Sequence, residues 1–230
     1  MLIAQAREQG RSALDEAAGK ALLAQYGIAV PRTVVVKGDD AVEAAMTGLK
    51  LPVVVKVVSP EILHKSDAGG VQVNLQSAEQ VRAAIRSMAR SPKIAGARVD
   101  GWLIEEMVPA GQEMVIGGLR DPDFGPLVMV GLGGIFVEVL ADVSFRICPI
   151  TRGDAEEMID ELKGAAILEG ARGRKPASRE AILDVLLKVG GDRGLLMQHA
   201  DDIDEADINP LIVSDTGAVA VDARFILTRK

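Results

Sequence analysis

Leu14, Ala17, Ala18, Ala21 and Leu22 recur at three- and four-residue intervals, which predicts a helix over 12–25 that Gly27 ends. Val30-Pro31 then leads into a strand at 33–36, and Asp39 can cap a second helix reaching 46. The run Val53-Val54-Val55, bounded by Pro52 and Pro60, predicts a strand at 53–58 covered on both faces. A strand with alternating polar positions follows at 70–75, and Ser77 with Gln80 forms a capping-box pattern that opens a helix to about 89. Strands then dominate. Those at 102–107 and 113–118 read as a pair turned by Pro109-Ala110-Gly111, and further strands follow at 126–130, 135–140 and 144–148, punctuated by Gly131-Leu132-Gly133-Gly134. Helices at 154–162 and 178–189 flank a basic, glycine-containing loop at 171–176. The chain closes with strands around 208–213 and 218–223, joined at Asp215-Thr216-Gly217, while 190–204 has no clear period. This order predicts an α+β protein in which two lobes, each with a sheet, enclose a cleft: a smaller lobe at 20–100 and a larger one made of 1–19 and 101–230.

Composition narrows the classes. Apolar residues make up 48% of the 230 positions, yet no window approaches 18 uninterrupted apolar residues, which excludes a helical membrane span. The N-terminal segment has no cleavable signal pattern, so a cytoplasmic location is expected. One cysteine, Cys148, excludes an internal disulfide and a cysteine-cluster metal site. The net charge is −7 with both signs interspersed, and aromatics are only 3%, so neither a basic face nor a stacking platform for nucleic acid is present.

The segment 52–71, PVVVKVVSPEILHKSDAGGV, concentrates the candidate chemistry. Lys56 interrupts its apolar run, and a buried ammonium needs an anionic partner. Downstream, Ser66-Asp67-Ala68-Gly69-Gly70 can turn tightly and present N–H groups to phosphate oxygens, although the same glycines serve equally as a hairpin turn. Neither a GxxxxGK[ST] nor a GxGxxG pattern occurs. His64 lies on the same loop, where a histidine is either a surface group or a nucleophile oriented by a carboxylate. Glu105-Glu106-Met107-Val108 with Glu113 reads either as solvated carboxylates at a strand end or as a hinge whose backbone pairs with an adenine edge. Asp207 and Asn209 alternate by two and so share one face of an extended segment. With Asp222 they offer oxygen ligands of the kind Mg²⁺ accepts, or simply form turns.

Taken together, these segments resemble the ATP-grasp subunit of ADP-forming acyl-CoA synthetases, within the succinyl-CoA synthetase superfamily. The resemblance is carried in order by Lys20 with Tyr26-Gly27-Ile28, PVVVKVVSPEILHKSDAGGV, EEMVPAGQE, GGLRDPDFGPLVMVGLGGIFVEVLADVSFRICPIT, ARG with KP, and DINPL with VAVDAR. It implies an ATP-grasp fold over 1–230. Lys56 would sit on the nucleotide's phosphates and Ser66, Gly69 and Gly70 on the loop over them. Glu106, Met107 and Val108 match the adenine hinge, Glu113 the ribose-binding acid, and Asn209 and Asp222 the Mg²⁺ ligands. His64 matches a phosphohistidine, Asp207 an acid that orients one, and Lys20 and Arg146 match further nucleotide-site positions.

The implied reaction is acyl-CoA + ADP + phosphate ⇌ carboxylate + CoA + ATP. A CoA-binding alpha subunit with its own phosphohistidine would hand the phosphoryl group to His64, and hence to ADP. This chain contains no CoA-binding Rossmann segment, so activity is expected only with that partner, in an α₂β₂ assembly. Two other readings remain open: an ATP-grasp carboxylate–amine ligase, which needs no histidine carrier, and a non-catalytic nucleotide-binding regulatory module.

Overall fold

The computed structural model of the chain describes residues 1–62, 65–170 and 175–229. In chain order the elements are α1 (Leu2–Glu8), β1 (Ala13–Leu14), α2 (Glu16–Gln25), β2 (Thr33–Val36), α3 (Val42–Ala45), β3 (Val53–Val58), β4 (Val71–Leu75), α4 (Ala78–Ala89) and α5 (Pro92–Ala95). They continue as β5 (Gly101–Glu106), β6 (Gln112–Asp121), β7 (Gly125–Leu132), α6 (Ile135–Glu138), β8 (Val143–Ile147), α7 (Arg152–Asp160), α8 (Arg179–Gly190), α9 (Leu195–Gln198), β9 (Ile203–Val213), β10 (Ala218–Ala220) and β11 (Arg224–Leu227). The chain divides into two compact units, one made of 1–30 with 109–230 and the other of 31–108. The division therefore falls at 30/31 and 108/109 rather than at 19/20 and 100/101, because α2 packs on β1 and β11 while β5 belongs whole to the smaller sheet.

The 31–108 unit is an antiparallel sheet in the order β2-β5-β3-β4, with α3 and α4 packed on one face. Alternation sorts the side chains. Val53, Val55, Val57, Trp102 and Ile104 point into a core shared with Val81, Ala84, Ile85 and Met88 of α4. Val54, Lys56, Leu103 and Glu105 take the other face, and all four are buried as well. Ser77 caps α4 by accepting from the Gln80 N–H at 3.2 Å, as its spacing predicts, while the Gln80 side chain accepts from the Gln76 N–H.

The larger unit is an antiparallel sheet in the order β1-β11-β9-β6-β7-β8, with β10 added to β9. Helices α7, α8 and α9 cover one face, and their Met158, Ile159, Ile182, Leu186 and Leu195 join Ile116, Val128, Val130 and Ile208 in the core. Asp142 is buried, and its carboxylate receives the N–H groups of Lys163 (2.8 Å) and Gly164 (2.9 Å), which ties the chain after α7 to the start of β8.

Two expectations are corrected. Strands β5 and β6 do not pair: β5 has β2 and β3 on its two edges, β6 has β9 and β7, and Pro109-Ala110-Gly111 carries the chain from one unit to the other. The segment 135–140 is not a strand. Gly134 takes a left-handed φ of +62°, residues 135–138 form one helical turn, and the Asp142 N–H donates to the Phe136 carbonyl at 3.1 Å. A short apolar run has no period that separates strand from helix. The stretch 190–204 contains α9 and the start of β9, and the described part of 171–176 is 175–176.

Candidate functional site

In the 31–108 unit the centre is Lys56, only 7% exposed, whose Nζ lies 3.0 Å from Oε1 of the fully buried Glu105. The register explains the meeting. Val54 is opposite Glu105 and Lys56 is opposite Leu103, so the two charged side chains share a face and approach diagonally across β3 and β5. On the other flank Thr33 is opposite Glu105, and its hydroxyl lies 3.1 Å from Oε2 and 2.9 Å from the Pro31 carbonyl, sharing one proton between them. Glu105 is thus no solvated carboxylate, and it is the anion that an ammonium in an apolar strand requires.

The loop after β3 is built on its glycines. Gly69 takes φ +70°, and a Cβ on Gly70 would stand 2.5 Å from Val57 Cγ1. The Gly69 N–H donates to the Ser66 carbonyl (3.0 Å) and the Gly70 N–H to the Lys65 carbonyl (2.7 Å), so both donors are engaged inside the turn rather than facing outward. The Ser66 residue is exposed, and Lys93 Nζ holds the Asp67 carbonyl at 2.9 Å. His64, the proposed phosphohistidine, lies outside the described residues.

The hinge candidates continue β5. The Glu106 N–H donates to the Arg32 carbonyl (3.0 Å) and the Met107 N–H to the Pro52 carbonyl (3.1 Å), so a base edge would be read through carbonyls and Val108. The Glu106 carboxylate accepts from the Lys50 N–H at 2.8 Å, and the Met107 sulfur from the Asn74 N–H at 3.1 Å.

In the larger unit Asp207 sits on β9 opposite Arg224 of β11 and Gly117 of β6, on the sheet face away from α7 and α8. It lines a cavity of ≈ 190 Å³ with Gly117, Met129, Phe145 and Glu205. Burial pushes its carboxyl up from the usual carboxylate range, the nearby Asp222 and Glu205 add to this, and Arg224 opposes it. This crowd of like charges is what a bound cation relieves. Asn209 is exposed two residues along the same strand, and Asp222 directs Oδ1 to the Ala223 N–H at 2.8 Å. Among the described residues no three His, Cys, Asp or Glu side chains group as a metal site. Two oxygen ligands completed by substrate phosphates is nonetheless the pattern Mg²⁺ uses, and the donor set fits it. Glu113 is exposed on β6, and its carbonyl accepts from the Gly133 N–H (2.9 Å). A Cβ on Gly133 would meet the Glu113 Cβ at 2.9 Å, which accounts for the glycine there.

Two matched residues are placed differently. Arg146 is opposite Val128, on the helix-covered face rather than the Asp207 face, and its guanidinium grips Glu161 at 2.6 and 3.0 Å. Lys20 is buried in α2 and pairs with the equally buried Glu16 at 2.7 Å. It is nonetheless next to Gly19, whose added Cβ would lie 2.9 Å from the Ala223 carbonyl, beside Asp222. Sequence reasoning named Glu105 only within the strand-end cluster and gave no role to Thr33, Glu205 or Arg224; the one further signal was the demand of Lys56 for an anion.

Two antiparallel sheets in separate units, with a buried strand lysine in one and strand-borne carboxylates in the other, make an α+β architecture. The ATP-grasp domain family matches residues 5–227, and the chain belongs to that family. It is similar to the beta subunit of acetate–CoA ligase (ADP-forming) I from Pyrococcus furiosus, with 45% identity over 98% of this chain and 96% of that one. Among solved structures it is similar to acetyl-coenzyme A synthetase 1 of Candidatus Korarchaeum cryptofilum in complex with coenzyme A, Ca-AMPCP and HgCl⁺ (TM-score 0.94, 44% identity, 99% and 98% of the two chains). It is also similar to the same enzyme with coenzyme A and Mg-AMPPCP, its phosphohistidine segment pointing towards the nucleotide binding site (TM-score 0.84, 43% identity, 99% and 98%). No helix among the described residues is long and apolar enough to cross a membrane.

Proposed function

We propose that this chain is the nucleotide-binding beta subunit of an ADP-forming acyl-CoA synthetase, working with a CoA-binding alpha subunit in the reaction acyl-CoA + ADP + phosphate ⇌ carboxylate + CoA + ATP. The observation that carries the reading is the near end-to-end match to a beta subunit of that enzyme class. The buried Lys56–Glu105 pair and the acidic β9 strand supply suitable chemistry.

In this reading the alpha subunit forms the acyl phosphate and passes its phosphoryl group to its own histidine, from which His64 takes it. The N–P bond of phospho-His64 then breaks as a terminal oxygen of ADP bonds to phosphorus, and the released imidazole nitrogen takes up one proton from solvent, which leaves neutral imidazole and ATP. Lys56 holds the phosphate oxygens, and Glu106, Met107 and Val108 receive the base. Glu113 accepts from ribose hydroxyls, and Asp207 orients a phosphohistidine of the relay. The loop of Ser66, Gly69 and Gly70 covers the phosphates with its shape, since its glycine donors are engaged internally. Asn209 and Asp222 would hold Mg²⁺, which neutralises phosphate oxygens when bound. Positioning and charge neutralisation supply most of the catalysis. The assembly is proposed as α₂β₂ and the location as the cytoplasm.

The test mixes the chain with the alpha subunit of the same organism, acetyl-CoA, ³²P-phosphate and Mg²⁺, without ADP, and repeats this with His64→Ala. Acid-labile label on this chain, lost in the variant and discharged by ADP as ATP, is the expected result. Unimpaired ATP formation by His64→Ala would refute the relay through this chain. Nucleotide binding without label on either subunit would favour the regulatory-module reading.

A further inference from the structure

Among the described residues of 31–108, Lys56 and Glu105 are the buried charged side chains. They lie on three adjacent strands with Thr33, in the order Thr33–Glu105–Lys56 from β2 through β5 to β3. Burying such a pair adds little net stability, because desolvation offsets the attraction, and two apolar residues would hold the sheet as well. Val54 and Leu103 show that this same face accepts apolar side chains at full burial. A lysine, moreover, carries a compact charge on four rotatable bonds and is not fixed by its own geometry. Something must hold its head group.

We infer that Glu105 is a positioning residue for the nucleotide's phosphates: it holds the Lys56 ammonium at one point on the sheet, and Thr33 fixes Glu105. This rests on the phosphate role proposed above for Lys56. Nζ and Oε1 meet as an ion pair at 3.0 Å. Oε2 is anchored separately by the Thr33 hydroxyl at 3.1 Å. The carboxylate is thereby held from the β2 side while it faces the lysine on the β3 side. Nucleotide then meets an ammonium already placed, and the entropy of placing it is not charged to binding. The inferred role is in phosphate affinity, not in reading the base.

The test measures ADP and adenosine binding to the purified full chain with Mg²⁺ by calorimetry, for Glu105→Gln, Thr33→Val, Lys56→Met and the Lys56→Met/Glu105→Gln double variant. Glu105→Gln is expected to weaken ADP by about tenfold and to leave adenosine unchanged. Thr33→Val should weaken ADP by about twofold to threefold through the same route. In the Lys56→Met background the Glu105 change should cost ADP nothing more, since the two act as one unit. Equal losses for ADP and adenosine, or an undiminished loss in the Lys56→Met background, would reduce Glu105 to a structural residue. Full ADP affinity in Lys56→Met alone would instead refute the phosphate role of Lys56, and the inference with it. Thr33→Val retains the Glu105 carboxylate and removes only its anchor, so the question stays answerable if Glu105→Gln does not fold.

Discussion

Arg146 clasps Glu161 through two N–H groups, at 2.6 and 3.0 Å, and so fastens the edge strand β8 to the end of α7. Ser144 donates to the same carboxylate at 2.5 Å. The hydrogen bond from Arg146, and then that from Ser144, hold the Glu161 carboxyl down at about 2, below its ordinary 4.5. The folded value lies below the unfolded one, so the contribution to stability is present above about pH 4.5 and is lost as pH falls towards about 2. Arg146→Ala should flatten that part of the acid limb in urea titrations while changing ADP affinity less than twofold or so, since β8 turns this side chain to the helices. A large loss of ADP affinity with an unchanged acid limb would restore Arg146 to the nucleotide site.

Asp207 runs the opposite way. Its carboxyl is pushed up by burial and by Asp222 and Glu205, so the folded state favours the protonated form. Stability from this group is present below the unfolded value and is lost as pH rises through the folded one. Asp207→Asn should therefore raise the melting temperature at neutral pH and lower turnover in the reconstituted enzyme. This is the trade expected where a site stores like charge for a ligand. Calorimetric melts beside turnover check it, and a destabilised variant would contradict the account.

Gly70 faces Val57 where a methyl group would stand 2.5 Å from Cγ1. Gly70→Ala should cost about 1–3 kcal/mol by overpacking, and it should weaken ADP by displacing the 65–69 turn. Gly69→Ala places a Cβ in open space but at φ +70°, so its cost is backbone strain alone, of order 1 kcal/mol. Chemical denaturation of the two variants separates steric from conformational need.

Lys20 and Glu16 are both buried in α2, one turn apart, at 2.7 Å. Lys20→Met should destabilise the larger unit by about 3 kcal/mol, because Glu16 loses the cation beside it. The double change Lys20→Met/Glu16→Leu should recover most of that loss. If the double variant is stable but the reconstituted enzyme is inactive, the pair serves the neighbouring Asp222–Ala223 segment rather than the fold.

Much of this could be read along the chain. Strands at 33–36 and 53–58 and the Ser77-capped helix follow from local alternation, β-branched runs and a cap, all of which act within a few residues. The unbroken burial of 53–57 was legible in its apolar run, and the demand of Lys56 for an anion was legible in the interruption. What answered that demand was not. Glu105 is 49 positions away by number, and only the register of β3 on β5 brings it across. The same dependence on partners misled the reading at 102–118, where two strands close in sequence joined different sheets. It misled it again at 135–140, where an apolar run without period became a turn of helix.

The sequence by itself determined the period of each long element, the placement of caps and glycines, and the residue types able to meet phosphate and Mg²⁺, because these are properties of neighbours along the chain. Only the tertiary structure decided which acid holds Lys56, that Arg146 faces helices and not Asp207, and that the glycine N–H groups of the 65–70 loop are spent within it. Pairing across strands assigns every side chain to one face or the other, and that assignment depends on register, which no short stretch of sequence contains.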